Sequence, residues 1–103
     1  MRRGEIRWFR FKHPDRRRPV LLLTRDSVLD YLGDVTVAPV TSTIRGIPSE
    51  VVLSSRDGVP HDCAINCDHI QTVPQSQIGS LIGTLPSDKL RQVRQAILFA
   101  LDL

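Results

Sequence analysis

Along most of the chain, apolar and polar residues alternate or gather in short blocks; only near the C-terminus do they recur at helical spacing. Glu5-Ile6-Arg7-Trp8-Phe9-Arg10-Phe11 follows Gly4 and mixes alternation with aromatics, which predicts a first strand. Residues 19–24 open with Pro19, which has no N–H, and run through four apolar positions. That pattern predicts a buried strand covered on both faces. Asp26 is placed to cap a short helix over residues 27–32, ended by Gly33. The β-branched stretch 35–41 predicts a third strand, in which Pro39 argues for an edge or a bulge. Further strands are expected at residues 50–53, 63–67 and, bent by its glycines, 78–85, with a turn at Asp57-Gly58. After Pro86, Ser87 is placed to cap a helix with Leu90, Val93, Ile97 and Leu101 on one face. Arg91, Gln92, Arg94 and Gln95 then face water.

These elements predict a mostly β chain: a small curled barrel with a short internal helix and a terminal one. The 103 residues fit a single domain, and the 41% hydrophobic content suffices for a small core.

Charge changes the picture. Residues 1–18 carry eight basic groups against Glu5 and Asp15, whereas the rest of the chain is net acidic by three. A polyanion would therefore meet one end of the protein. No basic amphipathic helix is visible there, so nucleic acid is favoured over a membrane. No apolar run reaches transmembrane length and no signal-peptide core is present, so a cytoplasmic protein is expected. Cys63 and Cys67, the only cysteines, read as two small buried thiols. No His/Cys set has zinc spacing, and neither a metal nor a cofactor is called for.

The chemistry gathers at two places. Arg16-Arg17-Arg18 runs directly into the predicted buried strand, which would anchor a guanidinium cluster at the edge of a rigid element. The guanidinium fork matches phosphate oxygens, although a solvated basic loop explains the same residues. The strand at 35–41 ends in the hydroxyl cluster Thr41-Ser42-Thr43, and a polar loop with Arg45 follows. His13, in the basic loop with Lys12, and His61 are the residues suited to proton transfer, His13 ranking ahead of His61. Asp68 fits either a base-orienting role or a turn cap. Trp8, Phe9 and Phe11 fit core or interface packing better than base stacking.

The ordered set of these pieces resembles the MazF/PemK (Kid) family of toxin–antitoxin ribonucleases. It comprises Gly4-Glu5-Ile6 with an aromatic, the basic loop, Arg18-Pro19-Val20-Leu21-Leu22-Leu23-Thr24 and Val37-Ala38-Pro39-Val40-Thr41-Ser42. Cys67-Asp68-His69-Ile70-Gln71-Thr72-Val73 and Ile82-Gly83-Thr84-Leu85 complete it. The resemblance spans nearly the whole chain and implies an SH3-like barrel of the MazF/PemK/CcdB type. It further implies a homodimer, a cognate antitoxin, and metal-independent cleavage of single-stranded RNA through a 2′,3′-cyclic phosphate. Arg18 matches the family's catalytic arginine and Thr41 its catalytic hydroxyl. Lys12, His13, Arg16, Arg17, Ser42, Thr43 and Arg45 are then expected to bind RNA. The family usually has Gln where His69 stands and Arg where Gln71 stands, so its pattern is not extended to that segment.

Two other functions compete. A gyrase-inhibiting toxin of the same fold would carry Trp-Gly near its C-terminus, whereas this chain ends Ala100-Leu101-Asp102-Leu103 and its one Trp is Trp8. A non-catalytic RNA- or protein-binding SH3-like module is compatible with composition alone.

Overall fold

Seven strands form one antiparallel sheet in the computed structural model, which describes residues 1–10 and 17–103. Phe11, Lys12, His13 and Arg16 lie outside the described residues. The strands are β1 (Glu5–Arg10), β2 (Arg17–Leu22), β3 (Asp34–Thr41), β4 (Glu50–Leu53), β5 (Cys63–Asn66), β6 (Gln71–Pro74) and β7 (Ile78–Thr84). Helices α1 (Asp26–Leu29) and α2 (Ser87–Leu101) complete the fold, with 3-10 turns at Ser55–Asp57, Cys67–His69 and Gln75–Gln77. The strand order is β4-β5-β3-β2-β1-β7, with β6 also on β3, and the sheet curls into a barrel-like but unclosed form.

Strand β2 sits at the middle because its apolar block is continuous. Val20, Leu21 and Leu22 are each 0% exposed, and their side chains go alternately to the two sides of the sheet. Leu21 joins Ile6, Ala38, Val40, Ile65 and, from α2, Val93 and Ala96. Val20 and Leu22 join Phe9, Leu29, Val35, Val37 and Val73. Replacing Leu21 or Leu22 by Ala would cost about 2–5 kcal/mol, the usual range for a buried leucine. Contrary to expectation, β2 begins at Arg17, so Arg17 and Arg18 are themselves strand residues, paired with Arg10 and Phe9.

Pro39 lies in a central strand, not at an edge. It faces Val20 on β2, while on its other side β3 pairs with β6 up to Val37 and with β5 from Val40. Leu23 N–H donates to Thr36 O at 2.8 Å, and counting along the ladder from there turns the Pro39 nitrogen away from β2. Its missing N–H therefore falls in the gap between two partners, where no ladder bond is lost.

Helix α1 is shorter than the pattern predicts, starting at Asp26 and ending at Leu29, and Asp26 does not cap it. The Asp26 carboxylate instead accepts the Arg3 amide at 2.6 Å, tying the N-terminal segment to the end of β2. Pro86, without a capping side chain, precedes α2, and Ser87 is already helical. The buried stripe of α2 is Val93 and Ala96, flanked by Leu90, Ile97 and Ala100; Leu101 is 57% exposed. Small alanines let the helix lie close to the sheet, and Leu101 falls beyond that contact.

The connection between β4 and β5 is held by a satisfied polar corner. Asp57, 7% exposed, accepts the Ser54 amide at 2.9 Å, and the Ser54 hydroxyl accepts the Arg56 amide at 3.4 Å. Lys89 of α2 lies 3.9 Å from Asp57 and donates to Val52 O at 3.0 Å. Gly58 closes the turn at φ 85°, and its carbonyl oxygen would stand 3.0 Å from any Cβ at Gly83. Glycine at 83 is what lets β7 pack this closely on the corner, while glycine at 58 suits the left-handed turn.

Candidate active site

The β2–β3 ladder covers only Val20 to Leu22 against Val37 to Pro39. Beyond it the two strands take different partners: β2 stays with β1 as far as Arg17, while β3 turns to β5 through Val40 and Thr41. The sheet forks there, with Pro19 and Pro39 flanking the point where pairing stops. A cleft of about 400 Å³ opens in the fork, lined by Arg18, Pro19, Val40, Thr41, Ser42 and Thr43. Ile6, Trp8, Ile82 and Cys63 add an apolar floor and walls, and Val59, Pro60 and His61 close it from the β4–β5 connection.

Arg18 is exposed, and among the described residues no hydrogen bond or ion pair engages its guanidinium. Thr41 is half-buried; its hydroxyl oxygen accepts the Thr43 amide at 3.1 Å. Its own proton therefore remains free to be donated into the cleft. The His61 ring nitrogen Nδ1 lies 3.1 Å from Asp62 O. A carbonyl only accepts, so Nδ1 carries the hydrogen and the neutral ring keeps its lone pair on Nε2.

Of the residues singled out from sequence, Arg18, Thr41, Ser42 and Thr43 come together here. Arg17 does not. Its guanidinium carbon lies 4.6 Å above the centre of the Trp8 ring, beside a different cleft. Arg45 also stands apart: its amide and that of Gly46 donate to Glu50 Oε1 at 2.9 and 3.0 Å, which shapes the loop before β4. Lys12, His13 and Arg16 lie outside the described residues. His61, which the sequence ranks behind His13, also lines this cleft, brought there by the β4–β5 connection.

Asp68 is tied into the fold. It accepts the hydroxyl of buried Ser49 at 2.6 Å, while its amide donates to Asn66 at 2.9 Å. Neither thiol is a nucleophile candidate. Burial pushes Cys67 up to about 11, helped by the negative charge of Asp68. Burial, then Asp62 and Asp57, also raises Cys63. Near the cleft floor, burial would raise the Glu5 carboxyl, but the Arg7 hydrogen bond at 2.8 Å, the Arg2 amide and nearby positive charge leave it below the usual carboxylate range. Arg7 is thereby neutralised, unlike Arg18. Among the described residues, no group of three or more His, Cys, Asp or Glu is placed to hold a metal ion.

A small, open β-barrel whose forked sheet presents a guanidinium, hydroxyls and an imidazole in one groove defines the class. Residues 2–101 match the family of PemK-like, MazF-like toxins of type II toxin–antitoxin systems, and the chain belongs to it. It is 40% identical over 89 residues to Endoribonuclease MazF3 of Mycobacterium tuberculosis, covering 86% of each chain. With Probable endoribonuclease MazF2 of the same organism it shares 42% over 98 residues, 94% of each chain. Its fold superposes on the Mycobacterium tuberculosis toxin MazF-mt6 with a TM-score of 0.88 at 37% identity, covering 96% of this chain and 97% of that one.

Proposed function

We propose that this chain is the toxin of a type II toxin–antitoxin pair and cuts single-stranded RNA in the β2–β3 fork without a metal ion. The observation that carries the reading is the convergence of Arg18, Thr41 and His61 on one cleft from three separate parts of the chain. In the proposed reaction the ribose 2′-oxygen attacks the adjacent phosphorus and the bond to the 5′-oxygen breaks, leaving a 2′,3′-cyclic phosphate and a 5′-hydroxyl. Negative charge develops on the non-bridging oxygens of the phosphorane. Donors already aimed there supply the largest share of catalysis. Arg18 is suited to bridge two of those oxygens, and Thr41 donates its free proton to the group.

An arginine side chain is a poor proton acceptor near neutral pH. Nε2 of His61 takes the 2′ proton, and the resulting imidazolium returns a proton to the departing 5′-oxygen. Ser42 and Thr43 offer further donors along the backbone of the bound strand, and the basic residues Lys12, His13, Arg16, Arg17 and Arg45 are expected to add attraction for its phosphates. The partners of this reading are a cognate antitoxin and a second copy of the chain, in the cytoplasm. An acidic antitoxin segment would compete with RNA for the cationic ends of β1 and β2.

The test is incubation of purified protein with defined RNA in EDTA, with the new ends mapped. Cyclic phosphate and 5′-hydroxyl ends are expected, and DNA of the same sequence should survive because it lacks the attacking hydroxyl. Strict dependence on Mg²⁺, or 5′-phosphate products, would contradict the reading.

A further inference from the structure

Trp8 separates two clefts. On its far side a second one, of about 540 Å³, opens between the outer ends of β1 and β2 and the start of β7. Arg10, Arg17, Ser76, Gln77 and Ser80 stand in its walls. Trp8 lines both this cleft and the one lined by Arg18 and Thr41, so the two adjoin.

Two cations face each other here. Arg10 is directly opposite Arg17 across the β1–β2 ladder, and Trp8 shares their face by alternation. Like charges facing each other across strands are destabilising. Among the described residues, the ion pairs are Arg7–Glu5 and Lys89–Asp57, and neither includes Arg10 or Arg17. Arg17 lies over the Trp8 ring, its guanidinium carbon 4.6 Å from the ring centre, while the side chain stays exposed. A cation pair on paired strands fits a phosphate. A guanidinium backed by an indole leaves its outer side for the face of a nucleobase, and the Gln77 amide offers both a donor and an acceptor to a base edge.

We propose that this second cleft is a subsite for a nucleotide flanking the cut. The base stacks on Arg17, its phosphate lies between Arg10 and Arg17, and Gln77 reads its edge. This rests on the RNA-cleaving reading above. An acidic peptide would relieve the same charges, but it would leave the stacking plane and the amide wall unused.

The experiment compares wild type with Arg17→Ala, Arg17→Lys and Gln77→Ala on a random-sequence pool of single-stranded RNA, sequencing the cleaved ends. Steady-state kinetics then use the sequence the pool favours. Wild type should show a base preference outside the two nucleotides at the cut, and Gln77→Ala should flatten that position alone. Both Arg17 variants should raise KM about tenfold while kcat changes much less, since lysine keeps the charge but not the plane. Arg17→Lys with wild-type KM, or an unchanged base preference in every variant, would overturn the subsite. So would Arg17 variants that cut RNA normally but lose binding to poly-L-glutamate, which would assign the cleft to an acidic peptide. A wild-type protein that cuts no RNA would instead overturn the nuclease reading. The subsite is then judged by fluorescence of Trp8, the only tryptophan, which RNA should quench in wild type and not in Arg17→Ala.

Discussion

The corner at Ser54 to Gly58 and the rim of the β2–β3 fork use similar side chains to opposite ends. In the corner, Asp57 is met by the Ser54 amide and approached by Lys89, and the Ser54 hydroxyl by the Arg56 amide. At the rim, Arg18 has no protein partner among the described residues, and the Thr41 hydroxyl accepts a bond while its own proton is uncommitted. Polar groups whose capacity is used inside the protein hold the fold. Those left open at a fixed place have something to offer a ligand, at the cost of contributing little to stability.

The contrast can be broken from both sides. The largest effect is expected at the rim: Arg18→Ala should slow single-turnover cleavage about a hundredfold to a thousandfold, about 3–4 kcal/mol, with an unchanged melting temperature. Arg18→Lys keeps the charge and loses the fork, so near-wild-type cleavage by it would show that charge alone suffices. Asp57→Ala should do the reverse, lowering stability by about 2 kcal/mol in urea titration and leaving the cleavage rate per folded molecule intact. Thr41→Val removes one donor at nearly constant volume. It should cost about tenfold in single-turnover rate with little change in RNA affinity or in the urea midpoint.

The smallest effect concerns the buried thiol. The folded state holds the Cys67 proton up to about 11, against an ordinary value of 9.0. The unfolded chain therefore binds fewer protons across that window, and stability falls as pH rises through it. In Cys67→Ala the decline between pH 9 and 11 should be shallower. Parallel stability curves for the two proteins would contradict a buried, neutral thiol.

Much of this molecule was legible because its apolar residues do simple things. The unbroken block Val20 to Leu22 announced a strand covered on both faces, and it serves both cores. Family resemblance pointed to Arg18 and Thr41, which the fork brings together. Other features depended on neighbours that a single sequence does not display. Pro39 argued for an edge or a bulge, since nothing local shows that β3 changes partners beside it. Strand β6 is short and mostly exposed, so it carries no hydrophobic signal. Leu101 outweighed Ala96 and Ala100 on hydrophobicity, yet close packing favoured the small residues. His61 had no distinguishing context beyond lying between Pro60 and Asp62. The prolines 19 and 39, one near the end of each ladder strand, were the available sign of the fork.

The order in which the cleft's walls occur along the chain has a consequence in time. Arg18 and Thr41 are made early, but Ile82, which completes the wall, lies on β7, the strand that pairs with β1 from the far end of the sheet. A chain still leaving the ribosome can present the cationic end of the molecule, yet it has no finished groove in which to place a scissile bond. At a synthesis rate of about 5–20 residues per second, the interval from Arg18 to Ile82 is on the order of seconds. A chain built in this order completes its cleft only after that interval, which it spends beside the one RNA it is certain to be near, the message that encodes it.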